Sequence, residues 1–203
     1  KGMPLLIKAI RTGSPVPPDK AMGISMEIPG EKLTIAMTKE LPRANRQKRL
    51  LLLQTLGYRG DPAAAPAIAP LAKKGPAAQR IAAIGSLGQL GRPSSIPVLV
   101  ASVKDSEATV SSAARTALTG FPGKEADAAV VALLNDSDAK IRLAAVEMAG
   151  RRRIAAAASR ICEIDCCSCG FGCSRVSLSS CRAISSSSSA SASWLASEAP
   201  LSG

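Results

Sequence analysis

The sequence has few aromatic residues and no histidine. Tyr58, Phe121, Phe171 and Trp194 are its aromatic side chains, although 46% of the 203 residues are hydrophobic. A core must then be built from Ala, Leu, Ile and Val, which favours closely packed helices over a β-sandwich or a β-barrel. The lack of histidine excludes Ser-His-Asp and Cys-His catalysis and every metal site that needs an imidazole ligand.

Long apolar segments are also missing. No apolar run reaches about 18 residues, the length that a membrane-spanning helix requires, so we expect no membrane partner. The chain begins at Lys1 without a signal-peptide pattern, and we interpret it as a region of a longer protein. The sequence identifies neither a compartment nor an oligomeric state.

Acidic residues are outnumbered, and the net charge is +11. Residues 1–60 carry 11 basic and 4 acidic side chains, residues 61–153 carry 12 and 8, and residues 154–203 carry three of each. Such a surface attracts acidic partners through its summed field. A solvated, solubilising surface is the simpler interpretation, since charge asymmetry alone is weak evidence for a ligand.

Cysteine is confined to the last quarter of the chain. Residues 154–203 hold all six cysteines and 15 serines, and they lose the helical period of the preceding sequence. Our hypothesis is that this Ser/Cys-rich tail does not fold and that a shifted reading frame produced it. Four thiolates for a metal, or disulfides, are the alternatives, but only one CxxC pair is present. The cysteines are Cys162, Cys166, Cys167, Cys169, Cys173 and Cys181.

Residues 1–153 contain an internal repeat with a period of 31 residues. Glycine, proline, arginine and aspartate recur in fixed columns: Gly57 matches Gly88, and Pro66 matches Pro97. The chain opens in the second half of a repeat, and residues 18–41 form the most diverged unit. Even there, the apolar frame is kept by Met22, Met37 and Leu41.

Each unit predicts two short helices. The first has apolar residues every three or four positions and ends at glycine, a residue suited to a left-handed C-cap. Ser94-Ser95 predict the N-terminus of a second helix, whose first turn tolerates Pro97. A helical hairpin cannot bury its apolar face alone, so we predict an all-α, right-handed α-α superhelix in which hairpins stack side by side.

The run from Arg80 to Val100, RIAAIGSLGQLGRPSSIPVLV, resembles a HEAT repeat, and in particular the short bacterial repeats of phycobilisome lyases. The resemblance covers roughly residues 1–153 and implies a scaffold that binds proteins without catalysis. It leaves two alternatives: binding to a nucleic-acid backbone, and a subunit similar to chromophore lyases. It implies no cofactor, no metal and no catalytic residue, and it names no partner-binding residue.

Two basic features are candidates for binding. Arg49, Arg80 and Arg142 recur in one column, where Ser111 replaces arginine once. They could bind phosphate or carboxylate, but we favour a structural role in which they bond to turn acids or helix C-terminal carbonyls. The stretch 43–49, with Lys39 and Arg59, could contact nucleic acid, yet it lacks aromatic residues for base stacking. We favour an exposed helix start there.

Overall fold

A computed structural model describes residues 3–12 and 16–157. These residues form helices and turns and contain no strand. The fold is the predicted all-α superhelix, and the helices up to Ile154 form one compact unit. They are α1 (Met3–Thr12), α2 (Pro18–Glu27), α3 (Glu31–Thr38), α4 (Arg46–Arg59), α5 (Ala65–Lys73), α6 (Ala77–Leu90), α7 (Ile96–Val103), α8 (Ala108–Gly120), α9 (Lys124–Leu133) and α10 (Ala139–Arg152).

The helices follow the predicted repeat. Helix α1 is the second helix of a partial unit, four helical hairpins follow, and α10 is the first helix of another unit. The first helices α4, α6, α8 and α10 pack side by side in one layer, and α5, α7 and α9 neighbour one another in the other. Only residues 154–157 of the predicted Ser/Cys-rich tail are described, and residues 155–157 are helical. The rest of the tail, with all six cysteines, lies outside the described residues, so its folding and origin stay predictions.

The most diverged unit keeps the fold through its apolar frame. Met22, Met37 and Leu41 are 1%, 0% and 2% exposed, as the repeat alignment predicted. At 25 cal/mol per Å² of buried apolar surface, each side chain contributes about 2 kcal/mol. In this unit the spacing of the buried apolar residues therefore determines the fold more than sequence identity with the other repeats does.

The helix ends agree with the pattern in part. Gly60 and Gly91 end α4 and α6 in the left-handed conformation, with φ of 66° and 61°. Arg153 adopts the same conformation after α10, at the repeat position of Gly60 and Gly91, which Pro122 occupies in the repeat between. The predicted helix start at Ser94-Ser95 is confirmed: Ser95 is the N-cap residue of α7 and ends a 3₁₀ turn, although its side chain caps no backbone N–H. The turn needs no serine cap because Pro93 starts it.

Glycine allows α4 and α6 to approach closely. A Cβ atom on Gly57 would lie 2.9 Å from Ser86 Cα and would also meet the side chain of Gln89. The hydroxyl of Ser86 donates to the Leu53 carbonyl across the same contact at 2.7 Å. By contrast, a Cβ on Gly85 in α6 would meet nothing within 4 Å.

Gly57→Ala and Gly85→Ala are therefore expected to change stability in opposite directions. Gly57→Ala should lower the free energy of unfolding by about 1–2 kcal/mol, because overpacking exceeds the gain in helix propensity. Gly85→Ala should raise it by up to about 1 kcal/mol through helix propensity alone. Urea unfolding followed by circular dichroism measures both, and equal effects of the two variants would contradict the close contact.

Candidate partner-binding face

The recurring arginines bond within the repeat framework. The guanidinium of Arg49 donates to the Leu41 and Ala44 carbonyls at 2.9 Å each, and to Gln79 Oε1 at 3.0 Å. Arg142 donates to the carbonyls of Asp136 and Ser137, both at 2.9 Å. These contacts agree with the structural role that we favoured over a ligand site.

Arg80 is the member of this column that pairs with acids. It contacts Asp105, and its Nη2 lies 3.1 Å from Glu107 Oε2. At the position of the missing arginine, the Ser111 hydroxyl donates to the Val103 carbonyl at 2.7 Å. The serine hydroxyl thus takes the place of the guanidinium, and this repeat position keeps its structural role at Ser111.

Asp136 compensates for that replacement. It pairs with Lys104, the residue before the Asp105 turn, and its Oδ1 accepts the backbone N–H of Asp138 at 3.1 Å. The hydrogen bond from Lys104, together with that backbone N–H and the charge of Arg142, lowers the pKa of Asp136. The turn acids therefore cap backbone and pair with cations, and they leave no free carboxylate pair here for acid–base chemistry.

Sequence reasoning missed the role of Arg59, the last residue of α4. Its guanidinium donates to the backbone oxygens of Ser25, Ile28 and Gly30, the last two at 2.9 and 3.2 Å. Its Nε donates to Thr34 Oγ1 at 3.2 Å. Arg59 thus caps the end of α2, where backbone carbonyls lack intrahelical partners.

Arg152 repeats this arrangement three periods later. It donates to the carbonyls of Leu118, Phe121 and Gly123 at 2.7, 2.6 and 3.2 Å. Its Nε donates to Asp127 Oδ1 at 2.7 Å. Each acceptor occupies the same repeat position as its counterpart at Arg59. The 31-residue period aligns these two arginines, and that alignment was the signal in the sequence.

Part of the basic stretch around residues 39–59 is occupied by internal contacts. Arg49 and Arg59 bond to carbonyls as described, and Lys48 Nζ donates to the Arg11 carbonyl at 2.7 Å. Arg43 lies 4.0 Å from Glu40, a carboxylate that Arg11 holds at 2.5 Å. Lys48, Arg49 and Arg59 thus face protein atoms, whereas Lys39, Arg43 and Arg46 are exposed and remain accessible to phosphate.

Glu40 predicts acid sensitivity at this place. The hydrogen bond from Arg11 lowers the pKa of Glu40 despite the opposing effect of burial. A lowered folded-state pKa contributes stability above the unfolded value of about 4.3, and that stability is lost as the pH falls through the folded pKa. We expect Glu40→Gln to be less stable than the wild type at pH 7, with a difference that shrinks below about pH 4.

Thermal unfolding between pH 3 and pH 7 checks this expectation. Glu27→Gln, a substitution of an exposed glutamate on α2, is the matched control and should follow the wild-type curve. A Glu40→Gln deficit that is constant over the whole pH range would show that Glu40 acts through packing.

The first helices carry connected surface grooves. One groove, of about 570 Å³, runs between α6 and α8 and is lined by Ile81, Gly88 and Ala117, among others. Ser112 and Thr116 line this groove and also a smaller one of about 130 Å³ between α8 and α10. We call the exposed side of α6, α8 and α10 the first-helix face. A separate groove of about 190 Å³ lies where Ile10 and Arg11 of α1 meet the start of α4.

A third groove, of about 520 Å³, continues the first-helix face toward the start of α10. It lies between α8 and α10 and shares Arg115 and Glu147 with the 130 Å³ groove. Hydroxyl, cationic and apolar side chains alternate along the face. Such a mixed lining suits a protein segment more than a small apolar ligand.

Metal and membrane features are absent from the part of the chain that the structure describes. No group of three or more Cys, Asp or Glu side chains there could hold a metal ion. None of its helices is long and apolar enough to cross a bilayer. The six cysteines lie outside the described residues, so the metal and disulfide alternatives stay open.

The comparisons with known proteins agree with the repeat architecture. Residues 35–119 match the family model described as HEAT repeats. The chain is 19% identical to a chain in the complex of CpcE and CpcF of phycocyanin lyase from Nostoc sp. PCC7120, with a TM-score of 0.53, and the match covers 72% of this chain and 97% of that chain. No curated protein sequence matches. Residues 35–119 are therefore similar to HEAT repeats, and the chain shares its helical-repeat fold with that lyase chain.

Proposed function

We propose that the chain is a non-catalytic scaffold that binds a protein partner on the first-helix face. The continuity of the grooves between α6, α8 and α10 carries the proposal, because Ser112 and Thr116 belong to two of them at once. HEAT repeats are typical of protein-binding surfaces, and the similar chain from Nostoc belongs to a complex with a second protein.

The absence of enzymatic activity is part of the proposal. The recurring arginines and the turn acids bond to each other or to backbone, so their charges serve the repeat framework. A catalytic group needs a perturbed side chain aimed into a cleft within reach of a reacting atom. Ser112 and Thr116 share the 130 Å³ groove with Glu147. In the described structure no hydrogen bond joins that carboxylate to either hydroxyl, and Thr116 Oγ1 donates to the Ser112 carbonyl instead.

Site-specific photo-crosslinking tests the scaffold function. A photoreactive amino acid replaces Ser112 or Thr116 in the full chain, which is then expressed in the source organism. Both positions should give the same protein adduct, since both border the connected grooves. Ala101, an exposed residue of α7 in the other layer, is the matched control and should give none.

Two results would overturn the scaffold function on this face. One is the lack of any protein adduct at Ser112 and Thr116 under conditions where the chain is folded. The other is an identical set of adducts from Ala101, which would mean unselective collision. An adduct that nuclease removes would indicate nucleic acid instead, and gel shifts at low and physiological salt would then show steep salt dependence.

A chromophore-lyase-like subunit is the second candidate, and the structural similarity to the phycocyanin lyase complex favours it. The test incubates the full chain with a bilin and an apo-phycobiliprotein and follows covalent attachment by fluorescence. We expect no attachment by this chain alone. Attachment at a rate above the spontaneous reaction would replace the scaffold function with a catalytic one.

A further inference from the structure

An arginine occupies a core position of the repeat at the centre of the first-helix face. Arg115 on α8 aligns with Leu53 on α4 and Ile84 on α6 in the 31-residue frame. Leu53 and Ile84 are both fully buried, with 0% exposure. Arg115 instead lines both grooves between α8 and α10. A repeat position that holds a buried aliphatic residue in the two earlier units thus holds a charged residue at the grooves between α8 and α10.

The guanidinium of Arg115 is incompletely satisfied. Its Nε is buried and has no hydrogen-bond partner among the described residues. Arg80 Nε is buried in the same way, but the other nitrogens of Arg80 pair with Asp105 and Glu107. A buried donor without an acceptor is costly and rare, so it calls for an acceptor from outside.

Several of the other charges near Arg115 are already engaged. Lys104 pairs with Asp136, and Asp138 accepts the backbone N–H of Lys140 at 2.8 Å. Glu147 lines the groove with Arg115, yet the two side chains form no ion pair within 4.0 Å in the described structure. Among the described residues, Arg115 and Lys140 are the cations of this groove whose side chains form no ion pair, and Arg115 is the one with a buried Nε that lacks an acceptor.

Apolar surface lies beside this charge. Leu143 on α10 lines the 520 Å³ groove and is 64% exposed. Ile141, Ala144 and Val103 contribute further apolar lining. A ligand that fits must bring both an anion for Arg115 and an apolar group for Leu143. Aspartate or glutamate next to an aliphatic residue in a peptide has this combination.

We propose that the groove between α8 and α10 binds a short acidic segment of a protein partner, whose carboxylate pairs with Arg115 and whose neighbouring apolar side chain packs on Leu143. This inference rests on the proposed scaffold function and assigns its site and partner chemistry. An arginine and a carboxylate form charge-assisted hydrogen bonds that are stronger than neutral ones. The positive net charge of the chain favours the approach of such a segment.

A nucleic acid fits this groove less well. A phosphate backbone needs a row of exposed cations, whereas Glu147 and Asp138 line the groove at the same level as Arg115. A polyanion would meet these carboxylates at every register. A single carboxylate on an otherwise uncharged segment avoids them.

The test selects binders from a random peptide library displayed on phage, with the full chain as the target. Enriched sequences are synthesised, and their dissociation constants are measured by isothermal titration calorimetry. We expect a consensus that pairs Asp or Glu with an aliphatic residue. Arg115→Gln should weaken binding of these peptides about tenfold or more, the usual effect of losing a charge-assisted contact. Arg92→Gln, at an exposed site outside the groove, should leave it unchanged.

Leu143→Asp gives a second readout that does not depend on the folding of Arg115→Gln. It changes an exposed groove residue and should also weaken the acidic peptides about tenfold through repulsion and lost apolar contact. A consensus without acidic residues, or binding that both variants leave intact, would overturn the inference. Stronger competition by a single-stranded oligonucleotide would overturn it too. The photo-crosslinking result stands independently, because protein adducts at Ser112 and Thr116 with unchanged peptide binding in Arg115→Gln would reject only this site.

Discussion

Phe121→Ala is expected to lower the free energy of unfolding by about 3–5 kcal/mol, the range for truncating a buried phenylalanine. Phe121 follows α8 directly and is 2% exposed. It aligns with Leu90 at the end of α6, so an apolar side chain occupies this position in two successive repeats. Its removal leaves a cavity between repeats that the short helices cannot easily close.

Urea unfolding followed by circular dichroism measures this loss. Phe121→Leu is the matched control, since it introduces the residue that the preceding repeat has at the same position, and it should cost about 1 kcal/mol. A loss below about 1 kcal/mol for Phe121→Ala would show that the repeats adjust to the cavity. The urea unfolding transition of Phe121→Ala should also become broader if the repeats on either side of Phe121 then unfold at different urea concentrations.

Much of the fold could be predicted because each buried position recurs in several units, so the sequence shows its apolar character more than once. A single apolar residue at Met37 indicates little, but the same column in every unit defines the buried face. The apolar columns therefore gave the helices, their order and the burial of Met22 and Leu41. Helix ends were less predictable: Ser95 has the right residue type for a cap, yet Pro93 already starts the turn.

The candidate site could be predicted only in part, because function departs from the repeat. The alignment shows that Arg115 stands where Leu53 and Ile84 stand, and that departure was visible in the sequence. Its consequence depends on where α10 lies relative to α8, which leaves Nε of Arg115 without an acceptor. The width of a groove depends on side chains from two helices at once, and no periodicity of one helix determines it.

The three arginines at the end of α10 have different roles. Arg151 and Arg152 lie in the last helical turn and Arg153 is the C-cap, at the end of the helix where the macrodipole favours positive charge. The structure separates them. The side chain of Arg152 is 9% exposed and reaches the preceding first helix, whereas Arg151 is exposed. Only the 31-residue alignment with Arg59 distinguishes Arg152 from its neighbours.

Arg152→Met should therefore lower the free energy of unfolding by about 2–3 kcal/mol. Methionine keeps an unbranched apolar stem but removes every hydrogen bond to the carbonyls of Leu118, Phe121 and Gly123. It also leaves Asp127 without its cation. Partly buried acceptors without a donor cost about 1–3 kcal/mol each, and the end of α8 regains some of this through water.

Arg151→Met is the matched control, because it changes the adjacent residue, which lies exposed in the same helical turn, and it should change stability by less than about 0.5 kcal/mol. Equal losses in the two variants would mean that the last turn of α10 responds to its total charge. A loss confined to Arg152→Met, with a similar loss in Arg59→Met, would show that both arginines join neighbouring repeats by the same contacts. Arg59, Leu90, Phe121 and Arg152 occupy the same position of the 31-residue repeat. At this position, arginine hydrogen bonds would then join the repeats in two units, and apolar packing would join them in the two units between.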